Sequence, residues 1–182
     1  MVWYIDPSHT QATFSVKHMM VSTVRGRLGK LRGELDLDPE KLQDASFEIG
    51  ADVSAIDTGD PRRDGHLRSA DFFDAERFPE IVFKSSTVFP RGDDKYAVSG
   101  YLKIREVTRP VTFEVELEGI GVDHNGGKHL GASATVTIDR KDFGLTWNQP
   151  IQNGVLVGDK VKIDVGIEAL DVTSAKAMGL AA

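Results

Sequence analysis

Cysteine is absent from the 182-residue sequence, and several other features that define large classes of protein are missing with it. Disulfides, thiolate metal sites, iron–sulfur clusters and cysteine nucleophiles are therefore excluded. No run approaches the roughly 18 apolar residues of a membrane helix, so stable membrane insertion is not expected. Lys and Arg (22) are outnumbered by Asp and Glu (28). Because phosphate binding needs a clustered basic excess, nucleic acid is not expected as a partner.

Motifs that mark catalytic, nucleotide-binding and metal centres are missing too. Neither G-x-x-x-x-G-K-[ST], G-x-G-x-x-G, H-E-x-x-H nor G-x-S-x-G occurs. His9 and His18 lie an odd number of residues apart, so on one unbroken strand they face opposite sides. His124 and His129 flank an Asn-Gly-Gly turn, where we expect them to be exposed. The sequence therefore predicts no catalytic residue, no metal and no cofactor.

The N-terminal stretch "MVWYIDPSHT" bears on localisation. It has neither a basic n-region nor a long apolar h-region, the two parts of a secretory signal peptide. We therefore expect a cytoplasmic protein, with the periplasm as the alternative if a leader has been removed.

Period-two alternation of apolar and polar residues dominates the sequence that is present. In "VTFEVELEG", Val111, Phe113, Val115 and Leu117 share one face, and threonine and glutamates occupy the other. One apolar, buried face and one polar, solvent-exposed face per strand are typical of antiparallel sheets. Asn-Gly and Gly-Gly pairs between the runs supply the positive φ values of tight hairpins. The pattern predicts an all-β fold, either a sandwich or a closed barrel.

Small residues recur on the faces that this alternation predicts to be buried. Two explanations stay open: they leave room for an internal cavity, or they permit close packing of sheets. The six positions are Gly33, Ala51, Ala55, Gly100, Ala132 and Ala134.

The segment "RRDGHLRSADFFD" interrupts the strand pattern. Asp60 followed by Pro61 predicts a helix start, since an N-cap carboxylate and a first-turn proline are both favoured there. The helix is predicted to run to about Ala70, with Asp64 and Arg68 as an i,i+4 ion pair. A glycine inside so short a helix weakens it, so we expect the helix to be a lid held by tertiary contacts of its leucine and phenylalanines.

The chemistry of this segment has three interpretations. The arginines and the histidine could clamp an anionic head group near the helix N-terminus. They could equally be neutralised by the neighbouring aspartates and serve the structure only. A catalytic role is the weakest of the three, because Ser69 has no evident partner in the sequence.

Several separated motifs together resemble the YceI-like family, the polyisoprenoid-binding, lipocalin-like bacterial proteins. They are "RRDGHLRSADFFD" followed by "FPEIVFKSS", "IDPSHTQATFSVKH", "VSGYLKIREVTRPVTFEVE" and "IDRKDFGLTWN". The resemblance covers roughly Trp3 to Val172, with the motifs in the family's order. It implies a single domain over 1–172, and we expect residues 173–182 to fray.

The fold implied by the resemblance is a lipocalin-like antiparallel barrel of about eight strands with a short α-helical cap. The implied function is non-catalytic binding, storage or transport of a long-chain polyisoprenoid or similar amphipathic lipid in an apolar pore. Homodimerisation is left open. The motif residues carried over from the family are Arg63, Asp64, His66, Leu67, Arg68, Phe72 and Phe73.

Candidate ligand-binding residues combine these motif positions with apolar residues of the alternating faces. They are Phe14, Val16, His18, His66, Leu67, Arg68, Phe72, Phe73, Phe83, Leu102, Ile104, Phe113, Val136, Phe143 and Trp147. Two alternatives to a carrier remain. One is a barrel enzyme of isomerase or cyclase type with His18 or His66 as general acid–base, and the other is a stress-related barrel whose lipid is incidental.

Overall fold

The computed structural model describes residues 1–181, and strands dominate it. The strands are β1 (Val2–Ile5), β2 (Gln11–His18), β3 (Ser22–Arg27), β4 (Leu31–Asp36), β5 (Ser46–Asp52), β6 (Glu80–Gly92), β7 (Lys95–Ile104), β8 (Val107–Val122), β9 (Lys128–Asp139), β10 (Pro150–Ile151), β11 (Gly154–Val155) and β12 (Val157–Asp171). The helices are α1 (Pro61–Arg68) and α2 (Val172–Ala177), with 3₁₀ turns at Leu42–Asp44 and Arg140–Phe143.

The main sheet closes on itself as an antiparallel barrel. On one side β12 pairs with β9; on the other it pairs first with β2 and then, at its C-terminal end, with β1. β1 and β2 therefore form one interrupted barrel strand, and β3 and β4 form the next. With β5 to β9 and β12 in sequence order, the barrel has eight strands. The prediction of an eight-stranded antiparallel barrel is confirmed.

The register of the strands explains why the alternating faces are dry. Ala134 on β9 lies opposite Val115 on β8 and also opposite Val165 on β12. Cross-strand partners share a face, so apolar residues at every second position of each strand meet inside the barrel. Two clusters of buried apolar side chains result, one around Trp3 and Leu35 and the other around Phe83 and Phe113.

Helix α1 begins where the sequence predicts. The Asp60 carboxylate accepts hydrogen bonds from the backbone N–H groups of Arg62 (3.0 Å) and Arg63 (3.4 Å), and proline is the first helical residue. The predicted partner of Asp64 is wrong. Asp64 is buried and accepts hydrogen bonds from the N–H (2.9 Å) and hydroxyl (2.6 Å) of Thr58, so it anchors the helix instead of pairing with Arg68.

Two other local expectations differ from the structure. Ala55, predicted on a buried face, is exposed in the turn after β5, because the strand ends at Asp52. The C-terminal segment forms α2 where fraying was expected: Asp171 caps it, and Ser174 and Ala175 are buried. Part of the 173–182 expectation, at Ala182, lies outside the described residues.

The two helices, α1 and α2, are both short. Across residues 1–181, neither helix has the length and apolar character needed to cross a bilayer.

Candidate functional site

The barrel encloses an apolar cavity of about 180 Å³. Alternation along eight strands directs one face of each inward, so the wall is built from aliphatic and aromatic side chains. Among the lining residues the hydroxyl of Tyr96 is the one polar side-chain group. The wall consists of Ala12, Leu28, Leu31, Leu35, Leu37, Leu42, Ala45, Phe47, Ile49, Ala51, Ile81, Phe83, Val88, Tyr96, Val98, Leu102, Ile104, Phe113, Val115, Leu117, Leu130, Ala132, Ala134, Ile163, Val165 and Ile167.

The cavity extends along the length of β7. Leu102 and Ile104, near the C-terminal end of this strand, line it with only 3% of their surface exposed. Tyr96, at the other end of β7, and Val115 and Leu117 on β8 also line it and are half-buried. Buried and half-buried side chains therefore share the wall, which runs from Ile104 to the end of β7 next to the β6–β7 turn.

The small residues divide between the two explanations that the sequence left open. Ala51, Ala132 and Ala134 lie in the cavity wall, where larger side chains would fill the space. Gly100 serves close packing instead. A Cβ there would meet the backbone oxygen of Lys84 and would lie 2.6 Å from Cζ of Phe83. Glycine at this position thus leaves the space that the Phe83 ring occupies in the wall.

The helical cap carries an aromatic cluster. His66 lies edge-on to Trp147, with ring centroids 4.6 Å apart, and edge-on to Phe72 at 5.0 Å. Phe72 and Trp147 are 5.4 Å apart. His66 Nε2 is also within 2.8 Å of a carboxylate oxygen of Asp71. These contacts tie α1, the segment after it and the loop before β10 into one plug at this end of the barrel.

Two arginines hold the plug by binding backbone carbonyls. Arg63 donates to the hydroxyl (2.7 Å) and the carbonyl (2.9 Å) of Thr58, so its guanidinium serves the structure. Arg140 is buried and donates to the carbonyls of Leu145 (2.6 Å), Trp147 (2.9 Å) and Gly158 (2.9 Å). Burial lowers the pKa of Arg140 from its ordinary value, although arginine stays charged. Sequence reasoning missed this role, because a backbone carbonyl as hydrogen-bond partner leaves no mark on residue type.

The fifteen predicted site residues fall into three groups. Four line the cavity: Phe83, Leu102, Ile104 and Phe113. Three belong to the apolar cluster beside it: Phe73, Val136 and Phe143. The other eight do not line the cavity. Around the cap these are His66, Leu67, Arg68, Phe72 and Trp147, and on β2 they are Phe14, Val16 and His18.

Phe14 illustrates why inward alternation did not always lead to the cavity. Its ring lies within 2.5 Å of where a Cβ on Gly26 would be, beside Thr58 at the base of the cap. It therefore fills the barrel end under α1. The alternating residues Leu31, Leu35 and Val115 carried the same signal as the predicted set and do line the cavity.

One predicted exposure is also wrong. His129 lies in β9 with a half-buried side chain, and its ring nitrogens approach Glu168 (2.7 Å) and Asp123 (3.3 Å). Both carboxylates raise the pKa of His129, Glu168 most strongly, against the opposing effect of burial. Sequence reasoning missed these contacts because it considered only the neighbouring turn, and Glu168 is distant in sequence.

Comparison with known proteins agrees with this architecture. A sequence model described as the YceI-like domain matches residues 3–169. A UPF0312 protein of Vibrio cholerae is 34% identical over 138 residues, which cover 76% of this chain and 73% of that protein. The crystal structure of BcnA from Burkholderia cenocepacia superposes with a TM-score of 0.79 at 25% identity, over 90% of this chain and 98% of that one.

A second solved structure shares the fold at lower identity. It is a polyisoprenoid binding domain from Saccharophagus degradans implicated in plant cell wall breakdown. The TM-score is 0.71 at 13% identity, covering 92% of this chain and 97% of that domain.

Proposed function

This chain belongs to the YceI-like family, and on that premise we propose that it binds the hydrocarbon tail of an isoprenoid or similar amphipathic lipid in its barrel, without catalysis, to store or transport it. The observation that carries the proposal is the apolar cavity itself. A wall of this kind offers contacts to hydrocarbon and almost no hydrogen bonds. It therefore selects ligands by length and girth more than by functional groups.

The size of the cavity sets the length of tail that it accommodates. For scale, an engineered apolar cavity of about 150 Å³ binds one benzene molecule. The 180 Å³ therefore hold on the order of seven carbon atoms, between one and two prenyl units. The remainder of a longer tail would extend beyond the cavity.

The energetics favour a tail that fills the cavity. Burying a five-carbon prenyl unit contributes about 3–4 kcal/mol, and the roughly seven carbon atoms that fit contribute about 6 kcal/mol. Association costs on the order of 4–15 kcal/mol. One unit does not offset that cost, whereas a filled cavity reaches its lower range. The polyisoprenoid-binding description of the Saccharophagus degradans domain supports the same ligand class.

The enzyme alternative finds little support in the cavity. Its acid–base candidates, His18 and His66, lie outside the wall. His66 is instead engaged with Asp71 and Trp147 in the cap. Among the lining residues there is no histidine, carboxylate or lysine to move a proton at a buried ligand.

The experiment is to identify what the protein carries and then to vary tail length. Organic extraction of the purified protein followed by mass spectrometry should recover a prenyl or related lipid. The delipidated protein should bind geraniol about tenfold more tightly than prenol, which is one prenyl unit shorter and leaves part of the cavity empty. Farnesol should bring little further gain. Protein that is empty on extraction and takes up none of the three alcohols would overturn the proposal.

A further inference from the structure

The interruption between β1 and β2 brings distant parts of the chain together. The backbone N–H of Asp6 donates to the carbonyl of Glu168 (2.9 Å), and the Glu168 N–H donates to the hydroxyl of Thr10 (2.9 Å). These bonds hold residues 6–10 against β12 at the point where β12 changes partner from β2 to β1. Side chains from the first and last barrel strands therefore meet at this seam.

Three potential ligand atoms converge there. Asp6 Oδ2 lies 2.8 Å from His9 Nδ1, and that nitrogen lies 3.9 Å from Glu168 Oε2. One oxygen or nitrogen of each of the three side chains falls within 4.8 Å of the others. Two ligands bonded to one ion at about 2.0–2.2 Å can be no more than about 4.4 Å apart. Small side-chain adjustments therefore suffice for all three to bind one ion.

The seam combines a fixed carboxylate with an accessible histidine. The Asp6 side chain is fully buried, and its second oxygen accepts a hydrogen bond from the N–H of Ser8 (2.7 Å). The His9 side chain is 63% exposed, so an ion can arrive from solvent. With Asp6 buried and His9 exposed, an ion bound between them would keep a further coordination position open to water.

Outer partners orient the third ligand. The other oxygen of Glu168 lies 2.7 Å from Nδ1 of His129, and Nε2 of His129 lies 3.3 Å from Asp123. The hydroxyl of Ser174, at the start of α2, donates to the same Asp123 oxygen (2.9 Å). Hydrogen-bonded chains of this kind are typical of metal sites, where they fix the direction of a ligand.

We propose that Asp6, His9 and Glu168 form a Zn²⁺ site that links the two sides of the barrel seam. One imidazole and two carboxylates suit zinc and neighbouring transition ions. Calcium and magnesium favour all-oxygen sites, so they should bind poorly. The ion would connect the β1–β2 interruption with β12 and reinforce the closure of the barrel. The function goes beyond lipid binding and does not depend on it.

The competing explanation is an ion-pair network complete in itself, with both histidines protonated between their carboxylates. Such a network needs no metal. Sequence reasoning predicted no metal because cysteine and the H-E-x-x-H motif are absent and because it compared His9 only with His18, on the assumption of one continuous strand. The interruption at residues 6–10 removes that assumption, and the partners of His9 are acids.

The test is titration of the EDTA-treated full-length protein with ZnCl₂ by calorimetry, with thermal unfolding in parallel. We expect one equivalent of Zn²⁺ to bind and to raise Tm, and MgCl₂ and CaCl₂ to have no effect at the same concentration. His9→Gln and Glu168→Gln should abolish the Tm rise. His129→Gln, which removes an outer partner, should weaken binding about 10–100-fold.

The matched control is His124→Gln, which removes a histidine of the exposed β8–β9 turn and should bind zinc as the parent does. The partly exposed ligands are replaced instead of buried Asp6, and circular dichroism of each variant establishes that it is folded. Absence of saturable binding by the parent would overturn the site. So would binding that survives in folded His9→Gln and Glu168→Gln or is lost in His124→Gln.

Discussion

The aromatic ring of Phe83 occupies the space that any side chain at Gly100 would need, across the β6–β7 pair. Gly100→Ala should therefore force the ring out of the cavity wall or displace the backbone at Lys84. Overpacking of this kind costs about 1–3 kcal/mol of the free energy of unfolding. Urea denaturation followed by circular dichroism measures it.

The matched control for this substitution is Gly65→Ala in α1. Apart from its chain neighbours and the backbone of its own helix, no atom lies within 4 Å of where its Cβ would be. Because alanine is the better helix former, this change should stabilise the protein, by up to about 1 kcal/mol. Equal stabilities for the two alanine variants would show that the contact at Phe83 is relieved without cost.

Filling the cavity should weaken lipid binding without unfolding the barrel. Ala134→Leu adds three carbon atoms at the wall and displaces a similar number of ligand carbons. At about 0.8 kcal/mol for each, the binding free energy of farnesol should fall by about 2 kcal/mol. Ser133→Leu, at the adjacent position on the opposite face of β9, is the control, and it should leave the affinity unchanged. Unchanged farnesol affinity in Ala134→Leu would place the ligand elsewhere.

The cap of α1 should loosen in acid because of its N-cap. Hydrogen bonds from the N–H groups of Arg62 and Arg63 hold the pKa of Asp60 below its ordinary value of 3.8. The stabilisation is thus fully present above that value and is lost as the pH falls through the lower pKa of the folded protein. The protection factors of the two amides, which correct hydrogen exchange for the intrinsic effect of pH, should decrease below about pH 4.

Asp60→Asn separates this titration from the hydrogen bond. Asparagine is also a good N-cap but carries no charge to lose, so the protection factors in this variant should lack the acid step. Asp60→Ala should show low protection at every pH. If the asparagine variant kept the acid step, another group would have to be responsible.

Removing Arg140 should destabilise the plug end of the barrel. Arg140→Met leaves the carbonyls of Leu145, Trp147 and Gly158 without their donor. Each buried polar group left unpaired costs about 1–3 kcal/mol, so a loss of about 3 kcal/mol or more is expected. Lysine should not rescue the loss, because one ammonium cannot reproduce the planar fork of donors. Trp147 fluorescence and urea denaturation report the change, and a wild-type midpoint in Arg140→Met would contradict it.

Local patterns in the sequence predicted the barrel because each strand repeats the same alternation. They also located Leu102, Ile104 and Phe113 in the wall, since β7 and β8 run past the cavity. Phe14 shows what the alternation within one strand cannot predict. It points inward like the others, but whether an inward residue meets free space or the plug depends on its height in the barrel, which strand stagger decides.

Long-range polar contacts were beyond the same reasoning. Asp6 and Glu168 meet only because the first and last strands are neighbours, and nothing near either residue indicates the other. The prediction for His129 rested on the adjacent turn, and it missed the contact with Glu168 on the neighbouring strand. The N-cap at Asp60 was predictable because all of its donors lie within three residues.

The pairing of β12 with β1 and β2 has a consequence for synthesis on the ribosome. Until residues 157–171 have emerged, the nascent chain presents two open strand edges, on β9 and on the β1–β2 segment. Such edges invite pairing with other chains. A translation arrest or truncation before β12 should thus yield aggregates, while release of the complete polypeptide allows closure in one late, cooperative step.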